Sequence, residues 1–435
     1  MNPYVHLIKH SGIQPLFHAI EMSVHAICDN YPLHIHTEGL RGTGKTSVIR
    51  AARHILPPIT RIKGCVYNCD PNAPHCPLHR ELTVSQVQAL GTEVVPRPFL
   101  EISHSAKPGS IVGSIDLSKL TDQNTPLAAV LPGTIPQAHR GIIFVDEINR
   151  LADTAPELAD ILLDVMGTKP GRIQIEEPGL PTIEMPVSVS IWAASNPDED
   201  PGALRQIRRQ LSDRFDLTVP VSQPENIQSV VDILKSRRTS LKHLEQPIFT
   251  FGTVSMSQVE LPDDIEHILA SIYVNFKLES LRAIEAVESS AILEALLNEH
   301  QQVTLDHLTR VIPFTLGHRT DTTTIEEILQ YLAELKDPRQ SSAAALPALP
   351  IAKPSSRKPE SWWQKILQDL AAKFNRKETN LATPEKHQQQ KKAEQEMAIL
   401  KPTEATVSAP LKTAAPLAQL PDHKLISLPE HHDQD

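Results

Sequence analysis

Residues 39–46 read Gly39-Leu40-Arg41-Gly42-Thr43-Gly44-Lys45-Thr46. Glycines at the first, fourth and sixth places let backbone N–H groups turn inward around an anion. Lys45 follows as a charge for the β/γ-phosphates and Thr46 as a hydroxyl ligand for Mg2+. An apolar stretch precedes the loop, and SVIRAARHIL follows with helical spacing. A Gly-rich turn at a helix start is the plainer reading. Strand, loop and helix nevertheless stand in the order that binds Mg·ATP.

A second constellation is GIIFVDEINRL, where the apolar run Ile142–Val145 ends in Asp146 and Glu147. Paired carboxylates at a strand's C-terminal end fall where open α/β sheets bind ligands. Asp146 is expected to contact Mg2+ through water and Glu147 to polarise an attacking water. Alone, such a pair is often a strand running out into solvent; the upstream phosphate loop favours catalysis. The run VSVSIWAASNP ends in Asn196, whose amide could orient that water, or simply start a turn before proline. Arg205, Arg208, Arg209 and Arg214 crowd the next stretch. One of them offered to a neighbouring subunit's γ-phosphate would stabilise transition-state charge; a solvated basic face accounts for the others.

Cys65, Cys69, Cys76 and His79 form C-x3-C-x6-C-x2-H among Asn, Asp and Pro turns. Three thiols and an imidazole could close a tetrahedral zinc site. Free or redox-active thiols are the equal alternative, and an iron–sulfur cluster is disfavoured by the histidine. His75 is a competing ligand. Cys28, in the apolar helical stretch IEMSVHAIC, reads as plain core.

The elements that must position these groups are short apolar strands alternating with helices. Strands are expected at Leu33–His36, Phe99–Ile102, Gly141–Val145 and Val187–Ala193, which argues for a parallel sheet flanked by helices. From about 223 the pattern turns helical: Ile227–Ser236, Asp263–Asn275, Leu281–Leu297 and Leu305–Leu316 carry apolar residues at three- and four-residue spacing. The fold class is therefore α/β, with a nucleotide-binding domain over 1–222 that includes a Cys-rich loop at 64–80. A small all-helical lid follows over 223–335. Residues 336–435 are rich in Pro, Ala and Gln and read as linker and tail. A short amphipathic helix is expected at about 360–376, with Trp362, Trp363, Ile366 and Leu370 on one face. Such a helix would dock on a partner or fold back on its own core.

The 435 residues suit two or three domains, and 40% hydrophobic content with 4% aromatics makes the core aliphatic. With 42 Lys+Arg against 52 Asp+Glu the net charge is -10, a poor match to a nucleic-acid surface. No run of 18 apolar residues marks a transmembrane helix, and the N-terminus lacks the order of a signal peptide. A cytoplasmic protein is expected.

The stretches GLRGTGKTSVIRAA, ITRIKGCVYNCDPNAPHC, PGSIVGSIDLSK, LPGTIPQAHRGIIFVDEINRL, SNPDED and QLSDRFDL together resemble the AAA+ ATPase subunit I of magnesium chelatase, within the chelatase/MoxR-type clade. The resemblance runs from about 33 to 220 and more weakly to 320. It implies a hexameric ring hydrolysing ATP with Mg2+ at subunit interfaces. In it Asn196 is the first sensor, Arg214 the trans-acting arginine finger, and Arg282 a second sensor closing the lid on bound nucleotide. Pro108–Pro136 would hold the family's helix-2 insert, and Arg172–Val187 a hairpin before the sensor strand. The implied partner is a protein client or a chelatase-type subunit with a von Willebrand-type domain. A MoxR-like chaperone is the alternative within the fold. A DNA-acting ATPase is disfavoured by Glu176, Glu177 and Glu184 in the hairpin. A non-hydrolysing scaffold is disfavoured by the complete set Lys45, Thr46, Asp146, Glu147 and Asn196.

Overall fold

The computed structural model describes residues 3–103, 105–115, 130–176, 182–238 and 254–336. Five strands form the central sheet: β1 (Ile35–Glu38), β2 (Phe99–Ile102), β3 (Gly141–Val145), β4 (Val189–Ser195) and β5 (Leu217–Pro220). Their order is β5-β1-β4-β3-β2, and every pairing is parallel. All residues of β3 and β4 are buried, as a sheet covered on both faces requires.

The side chains sort by the two-residue period of a strand. Ile142, Phe144, Trp192 and Ala194 enter one core, together with α1 (Gln14–Cys28) and α2 (Lys45–Ala52). Ile143, Val145, Ile191 and Ala193 enter the other, under the helices Ile148–Thr154 and Pro156–Val165.

Two strands lie two residues later than their sequence pattern predicts. Leu33 and His34 do not start β1, because their N–H groups go to side chains, Ser190 Oγ and Asp216 Oδ2, instead of a ladder. Val187 ends a hairpin strand, and the Ser188 N–H donates to His139 Nδ1 before β4 begins. That hairpin pairs Gly171–Ile175 with Ile183–Val187 and carries an Arg172–Glu184 ion pair at 3.3 Å. Within the insert region, helix Pro108–Val112 leads into Gly113–Ile115, which pairs antiparallel with Val130–Pro132. Residues 116–129 and 177–181 lie outside the described residues. So does everything from 337 onward, including the helix expected at 360–376.

The lid consists of α3 (Asp263–Asn275), α4 (Leu281–Leu297), α5 (Leu305–Leu316) and α6 (Thr322–Lys336). It shares the first core: Leu293, Val311, Ile312 and Leu316 belong to the same cluster as Leu16 and Ile20 of α1. Cys28 ends α1 half-buried, so the expectation of a core thiol is corrected to a helix-end one. Among the described residues no helix is long and apolar enough to cross a membrane.

One polar contact bridges α1 and the lid. Glu294, buried in α4, meets His18 Nε2 at 2.5 Å and receives Arg310 NH1 at 3.0 Å. Burial alone would lift the Glu294 carboxyl, but the His18 hydrogen bond and charge, then Arg310 and Asn298, take it down to about 2. The same hydrogen bond raises His18 above its ordinary value. The two groups respond to pH in opposite directions. The Glu294 contribution is present above its unfolded value, about 4.3, and is lost as pH falls toward 2; the His18 contribution is full below about 6.5 and is lost as pH rises through its raised value. His18→Ala is therefore expected to lower the urea midpoint most between about pH 4.5 and 6.5. The deficit relative to the parent should shrink toward alkaline pH when followed by far-UV circular dichroism. A deficit that does not vary with pH would assign the effect to packing instead.

Candidate functional site

The loop 39–46 leaves the C-terminal end of β1 and runs directly into α2, so the helix's first N–H groups and dipole point into the space it encloses. Gly42 and Gly44 have φ of +76° and +93°, a region where a side chain would be strained. A Cβ at Gly42 would meet nothing within 4 Å, so the loop is an open cradle. A cavity of about 440 Å3 lies above it. Residues 41–47, Asp146, Glu147 and Asn196 line that cavity. Phosphate loop, acidic pair and strand-end amide thus meet in one place.

Lys45 Nζ folds back onto the loop and donates to the carbonyls of Gly39 at 2.5 Å and Leu40 at 2.8 Å. Burial draws its ammonium below the ordinary range, with Asp146 and Glu199 pulling the other way. Thr46 Oγ1 donates to Asp146 Oδ1 at 3.3 Å. Glu147 sits at φ +49°, ahead of helix Ile148–Thr154, a backbone region that non-glycine residues enter at a cost of about 1 kcal/mol or more. Its carboxylate lies 3.2 Å from Arg150 NH1 and 3.9 Å from Arg41 NH2. The Asn196 amide nitrogen donates to Glu199 Oε1 at 2.8 Å, while its buried Oδ1 has no hydrogen-bond partner. An unpaired buried acceptor on a residue that also lines the cavity calls for a hydrogen-bond donor. The cradle, the lysine, the hydroxyl–carboxylate pair and this orphaned oxygen fit a triphosphate with a divalent cation.

Several supporting groups carry no motif signature. His36 of β1 contacts Ser195 Oγ at 2.8 Å and ties β1 to the end of β4 just before Asn196. Burial holds His36 neutral, its pKa pushed down to about 3. Asn149 donates to the carbonyls of Asn196 and Gly202 and fixes the turn after β4. Glu199 binds both Asn196 and Arg41; its place in SNPDED was the one available signal. Arg50 of α2 grips Glu101 of β2 and lies 3.6 Å from Asp146 Oδ2.

The arginines separate by their contacts. Arg205 reaches carbonyls of Arg319 and Thr320, Arg208 pairs with Asp160 at 3.1 Å, and Arg209 with Glu279. Arg214 instead lines a second cavity of about 380 Å3 with Lys169, Arg282 and Arg319. Burial, and then the Arg282 charge, lower the Arg214 pKa. The two cavities have no lining residue in common. Arg282, expected as a second sensor closing the lid on bound nucleotide, lines this second cavity and not the phosphate-loop cavity of its own chain. Its helix, capped by Ser280, starts beside Asp213 and the Gly167 carbonyl, 4.0 Å and 3.5 Å from its guanidinium. Arg319, which no sequence motif marks, holds the 213–215 turn: it bonds Asp213 Oδ1 at 3.1 Å and the carbonyls of Asp213 and Phe215 at 2.8 Å. Cys65, Cys69, Cys76 and His79 converge elsewhere, with ligand atoms all within 4.8 Å of one another.

Comparison with known proteins now bears on this arrangement. The family model described as "Magnesium chelatase, subunit ChlI" matches residues 26–199, and that of the AAA lid domain matches 266–334. The magnesium-chelatase 38 kDa subunit of Acidiphilium rubrum is 30% identical over 308 residues, 67% of this chain and 84% of that one. The chain belongs to the magnesium chelatase subunit ChlI family. Further ChlI relatives include the chloroplastic subunit ChlI-2 of Arabidopsis thaliana, 28% identical over 65% of this chain and 68% of that one. A ChlI homolog of Methanocaldococcus jannaschii is 26% identical over 65% and 76%. The ChlI match takes in the loop 39–46, Asp146, Glu147 and Asn196, while Arg214 falls between the two matched segments and Arg282 within the lid match.

Replacing the loop lysine tests this ChlI-type cradle directly. Lys45→Ala removes a charge-assisted bond worth about 1.5–3 kcal/mol, so nucleotide affinity is expected to fall about tenfold to more than a hundredfold. Titration with a fluorescent ATP analogue reads the change; undiminished affinity would remove the loop from the binding site.

Proposed function

We propose that this chain is a Mg2+-dependent ATPase whose hydrolysis site is completed by a neighbouring copy, and that the cycle moves a partner protein. The observation that carries this reading is the division of the charged machinery between two cavities of one chain. Lys45, Thr46, Asp146, Glu147 and Asn196 surround the phosphate loop. Arg214 and Arg282 surround the other cavity. The arginine that lines the first cavity, Arg41, is held by Glu199 and Glu147, which leaves the charge of the transition state to be met by an arginine from a neighbouring copy.

In this reading Lys45 releases its loop carbonyls to hold the β/γ-phosphates, and Thr46 and Asp146 would hold the cation. Magnesium, when bound, supplies charge neutralisation on the phosphate oxygens. Glu147 accepts the proton of the attacking water, whose O–H donates to Asn196 Oδ1. Arg214 from the adjacent chain meets the charge that builds on the transferring group, and Arg282 beside it holds the same phosphates. Arg319 acts as a positioning residue through the 213–215 backbone.

Family membership favours a chelatase-type partner: a subunit with a von Willebrand-type domain, in a complex that inserts metal. The acidic hairpin 171–187 suits a protein surface better than phosphate backbone.

Two variants test the catalytic reading. Glu147→Gln keeps shape and hydrogen bonding while removing the base. ATP affinity is expected to persist and steady-state phosphate release to fall about a hundredfold to ten-thousandfold. Arg214→Ala is expected to bind ATP normally and hydrolyse about a thousandfold more slowly. Mixing the two inactive chains places an intact Glu147 against an intact Arg214 at some interfaces, so activity should return. A mixture no more active than its components would mean that Arg214 does not act across an interface.

A further inference from the structure

The segment between the edge strand Ile59–Ile62 and its antiparallel partner Thr92–Val95 is long and holds little regular structure; helix Val84–Leu90 is its one helix. A connection of this length without its own core needs some other constraint. Its first half is nevertheless well packed. Cys65, Cys69 and Cys76 are 0–2% exposed, and none of the three is in a disulfide.

Two tight turns bring the sulfurs together. In the first, the Asn68 N–H bonds the Cys65 carbonyl at 3.2 Å, Asn68 takes a φ of +54°, and Cys69 follows. In the second, the N–H groups of His79 and Arg80 both bond the Cys76 carbonyl at 3.0 Å. Each turn presents two ligand-type side chains three or four residues apart, the ligand spacing of a structural zinc site. Cys76 Sγ lies 3.2 Å from His79 Nδ1. All four ligand atoms lie within 4.8 Å of one another, against edges of about 3.5–3.8 Å for a tetrahedron with zinc–ligand bonds near 2.0–2.3 Å. The backbone N–H groups of His75 and Cys76 both point at Cys69 Sγ, at 3.4 Å. Three such sulfurs packed together without a cation would be repelled from one another or held protonated. A borderline-soft divalent ion resolves both problems at once.

We propose that Cys65, Cys69, Cys76 and His79 bind one structural Zn2+ ion. The four protein ligands complete its coordination, which leaves no open position for substrate and makes the site a staple. His75 belongs to the support instead. Its ring stacks on His139 with centroids 3.7 Å apart, and its Nδ1 faces Cys69 Sγ at 3.3 Å.

The stapled turns clamp the start of β3. Asp70 pairs with Arg140 at 3.1 Å, the Asn68 amide donates to the Gln137 carbonyl at 2.7 Å, and Arg140 also donates to the Thr60 carbonyl at 2.7 Å. Residues 137–140 lead directly into the strand that ends at Asp146 and Glu147. The ion thus fixes the far end of the strand that carries the acidic pair, and its role is in holding that strand's approach rather than in catalysis.

The test is metal analysis of the full chain, expressed without a histidine tag and dialysed against a weak chelator. About one zinc per chain is expected. Titrating the thiols with an organomercurial should release it, as read by a zinc-responsive dye. Growth in cobalt should give a chain with sulfur-to-cobalt charge-transfer absorption. His79→Ala is expected to weaken metal retention at least about tenfold, whereas His75→Ala and Cys28→Ser should keep a full complement. Stripping the metal should open the 63–91 segment to proteolysis. A parent chain purified without zinc, with these thiols freely reactive or joined in a disulfide, would overturn the proposal. So would a visible iron–sulfur chromophore, or metal lost from His75→Ala and kept by His79→Ala.

Discussion

Everything at the nucleotide end depends on the spacing of three parallel strands. β4 lies between β1 and β3, which sets their backbones two ladder steps apart, about 9.5 Å. That gap is wide enough for a phosphate chain, and narrow enough for Thr46, the second residue of α2, to reach Asp146 Oδ1 at 3.3 Å. A strand inserted or lost between β1 and β3 would leave the same residues with no common ion to share. The burial of every residue in β3 and β4 therefore serves chemistry as well as stability. It makes the sheet rigid where its C-terminal ends must stay in register. His36 reinforces that register from below: a neutral buried imidazole on β1 contacts the Ser195 hydroxyl, one residue before Asn196.

The parts of this fold that could be read from sequence are those in which local pattern and tertiary environment agree. β2, β3, α3, α4 and α5 fall on their predicted residues because each is a clean apolar run or a clean helical stripe. β1 and β4 slipped by two residues where side-chain acceptors, Ser190, Asp216 and His139, capture backbone N–H groups that the hydrophobic pattern assigns to strands. No single-segment reading anticipates acceptors that arrive from over 40 residues away. In the site the same division holds. The phosphate loop, acidic pair and strand-end asparagine are contiguous motifs and were visible. Arg319, His36 and Asn149 work through hydrogen bonds to distant backbone and leave no spacing behind. Arg214 and Arg282 were visible as arginines. That they lie beside each other, away from the phosphate loop of their own chain, follows only from how α4 packs against the 213–215 turn.

Under the proposed two-chain site, that placement bears on assembly. The cavity with the phosphate loop and the cavity with Arg214 are different surfaces, so the contact joining them pairs one face of a chain with another face of the next. Where that contact is heterologous, repeating it gives a closed ring when the rotation closes and an open helix when it does not. In the proposed reading, hydrolysis in one chain would depend on the position of its neighbour's lid-and-turn unit. Within one chain Arg319 bonds that turn to the end of α5, and Glu294 with His18 joins α4 to α1, so the lid is tied to the α/β domain by polar contacts as well as by the shared core. In the proposed reading, the contact that responds to ATP hydrolysis is the one between chains, where the arginines of one would meet the phosphates of the next.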